Sequence, residues 1–235
     1  MTDPRPTILV VEDEPDIRHF LRAALGVNGY RVAESATGRR GTIDAGTHKP
    51  DLAIVDLGLP DVDGVEVIRR IREWSSIPII VLSARVQERA KIEALDAGAN
   101  DYVTKPFGIG ELLARVRAGL RHAVRSASGA TVLRFGAAIV DLEQRRATRD
   151  GEAVHLTPLE FRMLAALARN LGMVVTHREL LTQVWGPSHA NDTHYLRIYM
   201  KQLREKLEAD PVRPRHLVTE TGIGYRLLAL DDATR

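Results

Sequence analysis

The sequence contains no cysteine. That excludes disulfides, thiolate metal sites and a cysteine nucleophile, and leaves any site chemistry to oxygen and nitrogen groups. It also lacks a long apolar run: no stretch approaches the roughly 20 residues that a membrane-spanning helix needs. The first residues carry Asp3, Pro4 and Pro6 where a signal peptide has a basic end followed by an apolar core. A cytoplasmic chain with no membrane insertion is therefore expected. Nor is there a large excess of charge, with 33 Lys and Arg against 31 Asp and Glu. Divided after His122, the first part holds 17 against 18, a net −1, and the remainder 16 against 13, a net +3. If the chain meets a polyanion, its second half is the place.

What is present is enough for two domains, because 235 residues divide into two units that can each bury a core. The first half alternates β-rich apolar runs with amphipathic stretches. The runs are Ile8 to Val11, Tyr30 to Ala33, Leu52 to Val55, Ile79 to Leu82 and Asp101 to Val103. Helical periodicity appears between them, as at Ile17 to Leu25, Val65 to Trp74 and Ile109 to Leu120. Five βα repeats predict a doubly wound α/β domain over 1–122, a parallel five-stranded sheet with helices on both faces. The stretch Ala123 to Ala130, with three alanines, two serines and a glycine, reads as a flexible linker. From 131 to 235 an α+β domain is expected. It has short strands at Val132 to Phe135, Ala138 to Leu142, Arg146 to Thr148 and Val154 to Leu156, with a hairpin turn at Asp150-Gly151. Three helices over 158–169, 177–185 and 193–208 follow, the first opened by Thr157-Pro158-Leu159-Glu160, and a last hairpin spans His216 to Leu228.

The chemistry gathers at strand ends. Glu12 and Asp13 follow the first strand, Asp56 ends the third, Ser83 follows the fourth and Lys105 the fifth. In an open parallel sheet these positions share the ligand-binding edge. Three carboxylates brought together repel unless a cation joins them, and oxygen ligands of this kind suit Mg²⁺. Asp56 is then a nucleophile toward a phosphoryl group, with Lys105 and the ion neutralising the phosphoryl oxygens and Ser83 hydrogen-bonding one of them. A second reading starts from Asp61-Val62-Asp63-Gly64-Val65, which matches the nucleophile motif of the haloacid-dehalogenase-type, Mg²⁺-dependent phosphatases. In those enzymes the first aspartate directly follows a strand, whereas Leu59-Pro60 separates Asp61 from the third strand here.

Val10-Val11-Glu12-Asp13-Glu14, Asp56-Leu57-Gly58-Leu59-Pro60, Leu82-Ser83-Ala84 and Asp101 to Phe107 resemble, in order and spacing, the receiver domains of two-component response regulators. The resemblance implies a CheY-like fold, a sensor histidine kinase as phosphodonor and Asp56 as phosphoacceptor. It implies Mg²⁺ held by Glu12, Asp13, Asp56 and the Gly58 carbonyl, a cis bond before Pro106, and reorientation of Ser83 and Tyr102 on phosphorylation. It also implies a phosphorylation-dependent homodimer using Lys91, Asp101, Glu111 and Arg115, and a protein that dephosphorylates itself without turning over an external substrate.

In the second half, Leu196, Met200, Leu203 and Leu207 mark the core face of the last long helix. His194, Arg197, Ile198, Lys201, Gln202 and Arg204 lie around its other sides, where Arg and Gln can read base edges and Lys attracts phosphate. His189 and His194 flank a loop with Asn191 and Asp192, but a gap of this kind in a loop is poor metal geometry. Leu156 to Phe161, Leu180 to Gly186, Leu203 to Leu207 and Thr221 to Arg226 resemble the winged helix-turn-helix domains of the OmpR/PhoB class. That resemblance implies promoter DNA and RNA polymerase as partners. It makes the helix from His194 to Leu207, including Tyr199, the recognition helix, and Thr221, Gly222, Tyr225 and Arg226 the wing. Leu57 to Pro60, Lys105 to Leu112 and His194 to Met200 resemble, more finely, the regulators of high-affinity potassium uptake.

Overall fold

The computed structural model describes residues 5–128, 131–190 and 193–229. The chain divides into two compact units, Met1–Ala123 and Val124–Arg235. In the first, strands β1 (Thr7–Val11), β2 (Arg31–Ser35), β3 (Leu52–Val55), β4 (Ile79–Ser83) and β5 (Asp101–Thr104) form one parallel sheet in the order β2-β1-β3-β4-β5. The order reverses beside β1 and β3, so the residues after these strands border the crevice where such sheets bind ligands.

The connecting helices are α1 (Pro15–Val27), α2 (Gly38–His48), α3 (Gly64–Arg72), α4 (Glu88–Asp96) and α5 (Ile109–Ser128). Strand residues alternate between two buried faces because successive side chains point to opposite sides. Ile8, Val10, Ile54, Ile80 and Leu82 pack with Leu21 and Leu25 of α1 and Leu112 and Val116 of α5. The alternate residues, among them Leu9, Val11, Val55 and Val81, are fully buried too, and α2, α3 and α4 pack on β1, β3 and β5. Arg72, at the end of α3, is drawn down to about 10 by burial. Its guanidinium donates to the Gly98 and Ser75 carbonyls and to Asn100 Oδ1, which fixes the entry to β5.

The second unit begins with an antiparallel sheet of β6 (Val132–Phe135), β7 (Ala138–Asp141), β8 (Arg146–Arg149) and β9 (Glu152–Val154). Helices α6 (Pro158–Arg169), α7 (His177–Trp185) and α8 (Thr193–Leu207) follow. A second sheet has the order β10-β12-β11, with β10 at Val174–Thr176, β11 at Leu217–Glu220 and β12 at Gly224–Leu227. Thr157 and Glu160 form the expected capping box at the start of α6. Leu164, Leu180, Val184, Leu196, Met200 and Leu203 of the three helices share one core with Phe135, Val140 and Leu217 of the strands.

Three expectations shift. β9 begins at Glu152 rather than Val154, because Asp150 (φ 52°) and Gly151 (φ 84°) make a tight two-residue turn that pairs Arg149 with Glu152. β10 has only three residues, too short for alternation to reveal it. The third concerns the tether: α5 runs on to Ser128, so the backbone expected to be flexible from Ala123 is helical as far as it is described. Alanine and serine cost a helix little.

Candidate functional site

β1 and β3 deliver their acids to one spot. Ligand-capable atoms of Glu12, Asp13 and Asp56 all lie within 4.8 Å of one another. Glu12 and Asp56 are buried and Asp13 is half-buried. Lys105 enters from the end of β5, its Nζ 2.8 Å from Glu12 Oε2 and 2.8 Å from Asp56 Oδ2, with Glu14 Oε1 at 3.5 Å. The Asp56 pair is a hydrogen bond. The Glu12 pair is an ion contact without that alignment, and Glu12 Oε2 has no hydrogen-bond partner among the described residues. Asp56 Oδ1 accepts from the Gly58 amide at 3.1 Å. The Lys105–Pro106 bond is cis.

Burial pushes the Glu12 carboxyl above its usual range, Asp56 adds to this, and Lys105 opposes it. Burial works against the Lys105 charge, but the hydrogen bond it donates to Asp56, its contact with Glu12 and the two negative charges outweigh it and hold the ammonium above its ordinary value. Three carboxylates against one ammonium leave an acidic pocket, and a hard divalent cation fits that donor set.

Ser83 and Tyr102 meet above this pocket. Both side chains are buried. Tyr102 Oη donates to the Arg85 carbonyl at 2.6 Å, and Ser83 Oγ accepts from the Arg85 amide at 3.2 Å. Burial raises the Tyr102 hydroxyl, against a lowering by its bond with Ser83. Sequence reasoning did not single out Arg85, although it stands two residues after Ser83. Its guanidinium donates to Asp63 Oδ2 at 2.8 Å and to the Leu57 carbonyl at 3.3 Å, tying the loop after β4 to the loop after β3. Arg18 was also missed. From the first turns of α1 it donates to the carbonyls of Glu12 and Asp13 at 2.7 and 3.0 Å and so orients both acids.

The phosphatase-like motif has a different use. Asp61 accepts from the amides of Gly38 and Arg39 at the start of α2, and these bonds, Arg39 first, hold its carboxyl below the usual range. Asp63 caps α3 through Val65 N at 2.9 Å. Both acids are occupied as helix caps, and the second reading is not favoured.

The expected dimer residues lie on α4, β5 and α5, but they are engaged within the chain. Asp101 is 1% exposed and takes two hydrogen bonds from Arg115, at 2.8 and 2.9 Å, while Arg115 also reaches Glu111 at 2.7 Å. Asp101 and Arg115, expected as a cross-subunit pair, are thus bonded to each other within the chain. Lys91 lies 5.7 Å from the centre of the Tyr102 ring.

In the second unit, Leu196, Met200, Leu203 and Leu207 are buried as expected. His194, Arg197, Ile198 and Lys201 are exposed, and Gln202 is half-buried. Tyr199 is half-buried against Trp185, ring centres 5.3 Å apart. Arg204, expected as a base reader, is engaged within its own unit. Its guanidinium bends onto β11, donating to the Leu217 carbonyl at 2.9 and 2.6 Å and to Thr219 Oγ1 at 2.7 Å. Arg226, expected in the wing, is engaged likewise: it is 6% exposed, with donors on Glu220 Oε1 at 2.7 Å and the Gly172 carbonyl at 2.8 Å. Tyr225 is buried against His177. Of the expected wing residues, only Thr221 and Gly222 (φ 75°) sit at the turn, where Thr221 is exposed. Asn191 and Asp192 lie outside the described residues.

Residues 8–117 match the family described as "Response regulator receiver domain", and residues 151–227 match "Transcriptional regulatory protein, C terminal". The chain is 58% identical over 221 residues to the KDP operon transcriptional regulatory protein KdpE of Escherichia coli K12, covering 94% of this chain and 98% of that protein. It is 50% identical over 223 residues to the transcriptional regulatory protein KdpE of Mycobacterium tuberculosis, covering 94% and 99%. Among solved structures, a CheY-like receiver domain protein from Methanospirillum hungatei matches at 25% identity with a TM-score of 0.50, over 52% of this chain and 98% of that one.

Proposed function

The chain belongs to the OmpR/PhoB class of two-component response regulators, DNA-binding regulators of transcription, and from that premise we propose that Asp56 is its single phosphoacceptor. One observation carries the reading: Asp56 is the acid that combines a strand-end position, two partner carboxylates and a hydrogen-bonded lysine. A sensor histidine kinase supplies the phosphoryl group. An Asp56 carboxylate oxygen forms the new bond to phosphorus, while the bond from phosphorus to the donor nitrogen breaks and its electron pair leaves with the donor. Glu12, Asp13, Asp56 and the Gly58 carbonyl would hold Mg²⁺, which supplies charge neutralisation to the phosphoryl oxygens. Lys105 adds a second positive charge there, and Ser83 turns its hydroxyl toward the same oxygens as Tyr102 moves with it. Attack of water on phosphorus later restores the carboxylate, so the protein resets itself without an external substrate.

Phosphorylation favours a homodimer through α4, β5 and α5, and the second unit binds promoter DNA with α8 and the turn at Thr221 and Gly222, acting on RNA polymerase in the cytoplasm. The KDP operon in the name of the Escherichia coli relative supports potassium-transport genes as the target. The test is intact-mass measurement after incubation with acetyl phosphate and Mg²⁺. The wild type gains a phosphoryl group, which chelation of the metal suppresses, and Asp56→Asn gains none; undiminished labelling of Asp56→Asn overturns the assignment.

A further inference from the structure

Asp44 is a buried acid of the first unit that stands on a helix, α2, rather than at a strand end. It is 3% exposed. Its Oδ2 accepts from Ser35 Oγ at 2.7 Å and from Arg40 Nε at 3.0 Å, and a second nitrogen of Arg40 lies 2.9 Å from Oδ1. Ser35 is 2% exposed and ends β2. A buried carboxylate is costly even when paired, and apolar side chains often fill such a space without that cost. The bond between Ser35 and Asp44 therefore asks for a reason beyond packing.

Topology supplies one. β2 is an edge strand whose neighbour in the sheet is β1, so the ladder holds its end from one side only. The Ser35 carbonyl accepts the Glu12 amide at 3.0 Å, just where β1 gives way to the acids. On the other side of β1, the Val11 carbonyl accepts the Asp56 amide at 2.9 Å. α2 also bears on this spot directly, since a Cβ at Gly41 would lie 2.6 Å from a methyl carbon of Val11. We infer that Asp44 is a positioning residue for the metal site: it grips the Ser35 hydroxyl, so that the end of β2 stays against β1 and the Glu12 carboxylate keeps its place beside Asp13 and Asp56. The inference rests on those three acids holding a divalent cation, and it adds a residue that acts on them through Ser35.

The experiment uses the full-length protein and Mn²⁺, which takes the same oxygen ligands as Mg²⁺. Free ion is counted by its EPR signal, at a temperature where circular dichroism shows each variant folded. Loss of binding in Asp56→Asn assigns the ion to the pocket. Asp44→Ala and Ser35→Ala should each weaken binding about tenfold, the lower end for residues that orient metal ligands. The double variant should lose no more than either alone, because both changes remove one link. Asp44→Asn keeps an oxygen that can accept from Ser35 and should stay close to the wild type. Ser35→Ala removes a single oxygen atom, so it keeps the test open where Asp44→Ala does not fold. A purely structural role would lower the thermal midpoint and leave the affinity of the folded protein unchanged, and that result in the alanine variants overturns the inference. Equal weakening by Asp44→Asn and Asp44→Ala, with Ser35→Ala unaffected, overturns it too, because the charge of Asp44 would then be acting at a distance. Wild-type binding that Asp56→Asn does not weaken overturns the metal-site reading and the inference with it.

Discussion

Two lysines anchor buried acids in this protein, and their surroundings make them opposites. Lys206 Nζ reaches both oxygens of Glu160, at 2.8 and 2.7 Å, and the Glu160 carboxylate also accepts from the Thr157 amide at 2.7 Å. Burial alone would raise this carboxyl, but Lys206 and the Thr157 bonds outweigh it and leave it below its usual value. A carboxyl whose folded pKa is depressed adds stability that is complete above its unfolded value of about 4.3 and is lost as pH falls through the folded pKa. Glu160→Gln should therefore destabilise the second unit by about 1.5 to 3 kcal/mol at pH 7, the range for hydrogen bonds to charged groups. Urea denaturation should show the gap between variant and wild type closing as pH drops below 4. An equal gap at every pH would mean that the charge of Glu160 contributes nothing. Lys105 faces three carboxylates rather than one, those of Glu12, Glu14 and Asp56, and its pocket keeps a surplus of negative charge. Glu160 and Lys206 satisfy each other and serve the fold, whereas the acids around Lys105 are left in need of a cation.

At the scale of elements, the loop between β3 and α3 does several jobs at once. Asp61 caps α2, Asp63 caps α3 and pairs with Arg85, and Gly64 starts α3 directly against the end of β3. A Cβ at Gly64 would collide with the backbone carbonyl oxygen of Asp56 and crowd Leu57. The close approach is possible only without a side chain. Gly64→Ala must push α3 outward or move Asp56, so it should slow acetyl phosphate labelling of Asp56 and lower the thermal midpoint of the first unit. Wild-type labelling together with a wild-type midpoint would show that the helix start yields without disturbing the acid. Asp56 and Lys105 were legible in the sequence because residues after parallel strands share one edge of the sheet. The capping role of Asp61 was not, because it serves a helix 22 and 23 residues earlier in the chain.

At the scale of the molecule, the two units are joined by the helical backbone of α5 up to Ser128. Dimerisation of the first unit would bring two DNA-binding units together and raise the effective concentration of the second once the first is bound. Phosphorylation should then tighten binding to two half-sites spaced by about 10 to 10.5 bp more than binding to a single half-site. Gel-shift titration of both duplexes checks this, and an equal gain on each would place the effect of phosphorylation outside dimerisation. Because Arg115 is bonded to Asp101 and Glu111 inside the chain, changing it disturbs the subunit itself. Lys91→Glu is the cleaner probe. An exposed ion pair contributes about 0 to 1 kcal/mol, so sedimentation should show a modest fall in association of the phosphorylated protein.

The two-unit division, the five parallel strands and the acidic cluster could be read along the chain, because periodicity and strand-end position are local properties. So could the core face of α8, since Leu196, Met200, Leu203 and Leu207 repeat with the helix. Where the long side chains go depends on the folded neighbours. Arg204 and Arg226 look alike in sequence to Arg197, yet they end on carbonyls and carboxylates 6 to 54 residues away. The physical reason is reach: a guanidinium on a flexible stem satisfies its donors on whatever acceptors folding brings near, and those acceptors belong to strands that local pattern cannot place beside it.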